Sequence, residues 1–182
     1  MRKLLITLTV VIALCLTTNS AFAGDPNYND AATCVINVTV DQIVEWEGAA
    51  YAAINLATID DKGDVPDGNS VYTLWLNCNV SLTADNTAAA ELDNDPPGSD
   101  TLVTEYKVTY DGDGDPDTGG TDTDWATYNN FISGSGSAIT HVDNDGAVEI
   151  RLRARASNRT DEVADAGDYT CTQTLTATWA SD

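Results

Sequence analysis

The densest chemistry in this chain is the run Asp111-Gly112-Asp113-Gly114-Asp115-Pro116-Asp117, continued by Asp122 and Asp124. Alternate carboxylates in a glycine-rich loop can converge on one hard cation. Ca2+ takes about six to eight oxygen ligands and tolerates irregular loops. The run is similar to the DxDxD loops of EF-hand and dockerin-like modules over about a dozen residues. It differs from an EF-hand in detail. Counted from Asp111, the sixth position is Pro116 instead of glycine and the twelfth is Asp122 instead of glutamate. Asp111, Asp113, Asp115, Asp117, Asp122 and Asp124 are therefore expected either to ligate Ca2+ or to form a solvated acidic loop. Asp60, Asp61, Asp64 and Asp67 repeat the pattern more sparsely, and Asp143 and Asp145 fit the turn they sit in.

Catalytic chemistry has less to draw on. The one histidine, His141, cannot build a His-rich zinc site. No serine occupies a G-x-S-x-G elbow. Acids abound, but no spacing selects a pair for glycoside hydrolysis. The expectation is a non-catalytic protein.

Two further groups stand out. Arg151, Arg153 and Arg155 alternate, so on a strand they form a basic stripe. The stripe either pairs with acids on neighbouring strands or docks on an acidic patch of another copy. Trp46 and Trp125, flanked by acids, are candidate stacking platforms for a surface polysaccharide.

The start of the chain directs it out of the cell. Arg2 and Lys3 precede an apolar run from Leu4 to Leu16, and Ala21-Phe22-Ala23 supplies a small-x-small cleavage site. Residues 1–23 read as a signal peptide, leaving 24–182 as one mature domain without a membrane span. The mature chain keeps six basic residues, Lys62, Lys107, Arg151, Arg153, Arg155 and Arg159, against 29 acids, a net charge of −23. Such a surface repels nucleic acid and anionic membrane. A salt-rich habitat would produce the same enrichment. Secretion, to a periplasm or the cell surface, permits disulfides. Cys34, Cys78 and Cys171 are an odd number, so one thiol is left over or pairs between chains. All three fall on apolar faces; a pair across the sandwich involving Cys78 is preferred, with three buried thiols as the alternative.

These residues must be positioned by strands. Val148, Ile150, Leu152, Ala154 and Ala156 alternate with Glu149, Arg151, Arg153 and Arg155. Leu74, Leu76, Cys78, Val80 and Leu82 do the same, as do Cys34, Ile36, Val38 and Val40 and, near the end, Cys171, Leu175, Ala177 and Trp179. Period-two patterning marks strands with one buried face. Strands are expected at 33–40, 51–58, 70–83, 102–110, 125–132, 138–142, 147–156 and 169–179. One helical turn is expected near Ala88–Leu92, and a hairpin turn at Asn144-Asp145-Gly146. About eight strands with no long helical period predict an all-β fold, a single antiparallel sandwich.

The closing segment Ala166-Gly167-Asp168-Tyr169-Thr170-Cys171-Thr172-Gln173-Thr174-Leu175-Thr176-Ala177-Thr178-Trp179 resembles the last strand of secreted bacterial pilin-like domains. These include the spore coat protein U-like domains and the archaic chaperone–usher pilins. Ala32–Val40 is similar to their first strand, and the middle of the chain is unmatched. The resemblance implies an immunoglobulin-like sandwich serving as a structural or adhesive subunit. In the pilin branch, the N-terminal segment of one subunit completes the next by β-strand addition. The donor face here would be Cys34, Ile36, Val38 and Val40, and the acceptor the edge beside the closing strand. The alternatives are a self-contained sandwich that keeps this strand for itself, and a calcium-stabilised carbohydrate-binding module. If the strand is donated, Cys34 could cross-link neighbouring subunits.

Overall fold

A computed structural model describes residues 33–48, 51–94, 100–111, 121–134, 136–140 and 146–181. Residues 1–32, most of the Asp111–Asp124 loop and the turn residues 141–145 lie outside these. The chain divides into two units, Met1–Thr39 and Val40–Asp182. In the first, residues 33–39 belong to no strand, and Val35, Ile36 and Val38 are 82, 87 and 82 % exposed. This corrects the expectation of a paired first strand: an alternating sequence gains a buried face only where a partner covers it.

The second unit is an antiparallel all-β sandwich. Its main sheet is built from β1 (Val44–Trp46), β2 (Asp67–Leu76), β9 (Ala147–Ser157), β5 (Val103–Asp111) and β6 (Thr121–Asp122), in that spatial order, with β7 (Ala126–Thr127) also on β5. The second sheet has the order β11 (Leu175–Ser181), β3 (Asn79–Ala84), β8 (Ser137–Ile139). A short ladder joins β4 (Asp93–Asn94) to β10 (Tyr169–Thr170).

The centre of the main sheet follows the sequence closely. Along β9, Val148, Ile150, Leu152, Ala154 and Ala156 are buried and the residues between them half-buried. β5 buries Thr104, Tyr106, Val108 and Tyr110 beside them, in register Tyr106↔Ala154 and Val108↔Leu152. Val80, Leu82, Ile139 and Leu175 close the core from the second sheet. Tyr110 ties the sheets together, its hydroxyl donating to the Ala138 carbonyl at 2.8 Å. Buried phenols usually find such a partner.

Several segments depart from the expected strands. Residues 70–83 were expected as one strand and form two, in different sheets. The break falls at Asn77-Cys78, where the Asn77 amide accepts from the Ile43 N–H at 2.7 Å and donates to the Asp41 carbonyl at 3.0 Å. A side chain that satisfies the neighbouring backbone in this way stabilises a corner that a ladder would otherwise straighten. Residues 51–58 form no strand, although Ile54 and Leu56 turn inward as expected. Residues 169–179 split into β10 and β11, with Cys171–Thr174 extended between them. The expected helical turn is a 3-10 turn at Ala88–Ala90, capped by the Thr87 hydroxyl accepting from the Ala89 N–H.

Candidate functional site

Several of the residues nominated for chemistry have structural partners. Of the calcium candidates, Asp113, Asp115 and Asp117 lie outside the described residues. Asp111 ends β5, Asp122 lies in β6 opposite Thr109, and Asp124 follows, exposed. Among the described residues no group of three or more His, Cys, Asp or Glu is placed to hold a metal. The sparser set is used locally. The Asp64 carboxylate accepts from the N–H groups of Asp60 and Asp61 at 3.0 and 2.9 Å, which holds it below the ordinary carboxylate range. Asp61 caps the Gly63 N–H, and Asp67 pairs with Arg153 at 2.6 Å. His141, Asp143 and Asp145 fall outside the described residues.

Arg153 and Arg155 of the arginine stripe are held by cross-strand pairing. Arg155 meets Glu105, its partner in the β5–β9 register, at 2.8 Å. The Trp125 ring lies under both Arg155 and Arg153, at 4.5 and 5.4 Å from ring centroid to guanidinium carbon. Trp125 is thus occupied as a cation–π platform. Trp46 packs against Tyr51 and Tyr72, with centroids 5.7 and 5.8 Å away, and Tyr51 stacks on Tyr72 at 4.5 Å.

A groove of about 610 Å³ stands open in the second unit. One wall is the extended segment Tyr51–Leu56 and the other is Cys171–Leu175. The floor includes Tyr106, Leu152 and Ala154 of the main sheet. The first wall is seated on β2 at Gly68, where an added Cβ would lie 2.9 Å from Ile54 Cγ2. A side chain there would lift the wall, so the glycine permits the close approach.

Neither wall is a complete strand. Tyr51–Leu56 pairs with no strand among the described residues. On the other wall, the Thr172 N–H donates to the Ala89 carbonyl at 2.7 Å and the Thr174 carbonyl accepts from the Asp85 N–H at 2.9 Å. Both bonds run toward the β3 side. Backbone groups of successive residues in an extended chain point to opposite sides, an arrangement that would turn those of Cys171 and Gln173 away from β3. They have no backbone partner among the described residues. β11, which continues this wall, is the outer strand of its sheet.

The electrostatics of the groove are unlike the rest of the molecule. No lining residue is charged, in a chain carrying 29 acids. Two buried side-chain polar atoms in the lining, Tyr51 Oη and Gln173 Nε2, have no hydrogen-bond partner among the described residues. Burial raises the Tyr51 pKa above its ordinary value, and the nearby Tyr72 adds to this. Tyr106 is raised in the same way, first by burial and then by its contact with Cys171. Orphaned donors in an apolar cleft are costly unless an occupant satisfies them.

Among the described residues, Cys34, Cys78 and Cys171 are separate thiols. Only Cys78 is buried as expected, at 2 % exposure; Cys34 and Cys171 are exposed residues. Cys171 nonetheless turns its sulfur in toward the Tyr106 hydroxyl at 3.2 Å, and desolvation raises its pKa while that hydroxyl lowers it. The groove lies beside the closing segment, where Cys171–Leu175 forms one wall. The sequence did not single out Tyr51, Tyr72, Tyr106 or Gln173. The available signal was the uncharged stretch Gly48–Ile59 in so acidic a chain.

No protein-family model matches the chain, and no curated protein matches it. Among solved structures it is similar to a chain from a chaperone–tip adhesin complex of CFA/I fimbriae biogenesis, with a TM-score of 0.40 and 15 % identity. The match covers 76 % of this chain and spans 42 % of the other.

Proposed function

We propose that the protein is an exported, non-catalytic structural or adhesive subunit that polymerises by strand donation. In this reading residues 33–40 of one copy fill the groove of the next. The observation that carries it is the pairing of two incomplete surfaces within one chain. Among the described residues the groove lining is uncharged, and its two walls, Tyr51–Leu56 and Cys171–Thr174, belong to no strand. The segment Thr33–Val40 is also uncharged, alternates apolar residues and exposes them, with Val40 at 68 %. Eight extended residues reach about 26 Å at the usual strand rise. A strand laid between the walls would bond to both and extend the second sheet, which is β-strand addition. Desolvation of Ile36, Val38 and Val40 would contribute about 1.5–3 kcal/mol per fully buried side chain.

The test is the size distribution of residues 24–182 by light scattering, with and without Thr33–Val40. Polymers that vanish on deleting the segment are expected. A monomer at all concentrations, with the segment bound in its own groove, would overturn donation in favour of a self-contained sandwich.

A further inference from the structure

Each half of this joint carries one cysteine. Cys34 lies on the exposed segment, two residues before Ile36, so in an extended chain its thiol shares a face with Ile36, Val38 and Val40. Cys171 lies on the groove wall, with its sulfur against Tyr106. Cys78 is not available to an incoming strand: it is buried, and its thiol donates to the Ile43 carbonyl at 3.7 Å.

We propose that Cys34 of one copy forms a disulfide with Cys171 of the next, converting a non-covalent strand joint into a covalent one. This rests on the strand-donation reading. The pairing also fixes a direction. Along the β5–β9–β2 ladder, Tyr106 lies beside Ala154 and Gly68, while Tyr72 lies further on beside Ile150. With Cys34 at the Tyr106 end, Ile36, Val38 and Val40 extend over Leu152 toward Tyr72. The donor then runs in the same sense as Cys171–Leu175.

The chemistry balances with a small disulfide, RSSR, as oxidant. The exposed Cys34 thiolate attacks RSSR, forming Cys34–S–S–R and releasing one thiolate, RS⁻. Once the segment is seated, Cys171 gives up its proton and attacks the Cys34 sulfur, expelling a second RS⁻. Two protein thiols have lost two electrons and two protons, and one RSSR has become two RSH. Desolvation disfavours the Cys171 thiolate, so random encounter with RSSR is slow. Docking replaces that encounter with an effectively intramolecular one, at millimolar effective concentration or above.

The experiment treats residues 24–182 with oxidised glutathione and resolves them on non-reducing denaturing gels, with light scattering in reductant run alongside. A covalent ladder that collapses in reductant, over polymers that persist there, is expected. Peptide mapping should show the Cys34–Cys171 link. Mixing Cys34→Ser with Cys171→Ser chains should give a covalent dimer that neither variant forms by itself. Polymers in reductant with no oxidised ladder would overturn the disulfide and leave strand donation standing. No polymers and no ladder would overturn both. Links to Cys78, Cys34–Cys34 links, or a Cys34–Cys171 link confined to one chain would overturn the disulfide proposal. So would preferential cross-linking of Val40→Cys to Cys171 in a Cys34→Ser background, since that places the donor in the opposite sense.

Discussion

The Tyr106 hydroxyl stands between the Ala90 carbonyl, to which it donates at 2.7 Å, and the Cys171 sulfur at 3.2 Å. It therefore connects the floor of the main sheet, the short 3-10 turn and the groove wall. Tyr106 also packs on Phe131, with centroids 5.5 Å apart. The contact restrains the wall where Cys171 leaves the β10 ladder, and it sets the environment of the thiol.

Tyr106→Phe removes that hydroxyl and keeps the ring. It leaves the Ala90 carbonyl without its phenol partner, and the expected cost is about 1–3 kcal/mol in urea denaturation. The same substitution removes the one interaction that lowers the Cys171 pKa, leaving desolvation unopposed. Cys171 should then alkylate more slowly than in the unsubstituted protein at equal pH, with Cys34 unchanged as an internal control. Faster alkylation would mean that the hydroxyl shields the thiol instead of polarising it.

A second polar latch has a pH signature of its own. The Asp100 carboxylate accepts from the Asp165 N–H at 2.5 Å and from the Tyr169 hydroxyl at 3.0 Å. The first of these contacts is the main reason its pKa lies below the ordinary 3.8. A depressed carboxyl contributes stability above its unfolded value and loses it as pH falls through the folded one. Tyr169 is pushed up to about 12, by desolvation first and then by Asp100. Its contribution is complete below the unfolded value of 10.0 and is lost as pH rises toward 12. Thermal melts of Asp100→Asn should fall below the parent at neutral pH and converge with it below pH 3.8. Tyr169→Phe should converge with the parent only in strong alkali. A constant offset across the acid range would exclude ionisation of Asp100 as the cause.

The Trp125 sandwich makes a more modest claim. Arg155 is shared between Glu105 and the indole face, and Arg153 between Asp67 and the same face. Exposed ion pairs contribute about 0–1 kcal/mol, and an exposed cation–π contact about 0.5–1 kcal/mol. A double-mutant cycle on Trp125→Leu and Arg155→Met should return a coupling of about 0.5–1 kcal/mol that salt weakens little. Zero coupling would mean that the stacked geometry contributes nothing.

The sequence was most legible where burial alone decided the structure. β5 and β9 sit in the middle of the main sheet, so their alternation maps directly onto core and surface. The break at Asn77-Cys78 was hidden because apolar spacing continues through it from Leu76 to Val80; the bend is set by a polar side chain. The split at Cys171 was hidden for a related reason, since period two reports an extended backbone and is silent on whether a neighbour pairs with it. Residues 33–40 show the same ambiguity from the other side. Their pattern describes a strand, while the described residues leave it exposed and outside any ladder. The arginine stripe was visible, but its function as a partner for Trp125 required the register of β9 on β5.

That ambiguity yields the sharpest prediction. Val38 is 82 % exposed, so Val38→Asp is a surface substitution. Its melting temperature should match the parent's within error, as surface substitutions usually shift stability by no more than about 0.5 kcal/mol. Seating the same aspartate in an uncharged groove would require burying a carboxylate without a counter-ion, which costs several kcal/mol even after relaxation. Polymer formation should therefore be abolished at concentrations where the parent polymerises fully. Val35→Asp, on the opposite face of an extended segment, should polymerise nearly as well. Equal loss in both variants would indicate that acidity alone blocks association, and equal retention would show that this segment does not enter the groove.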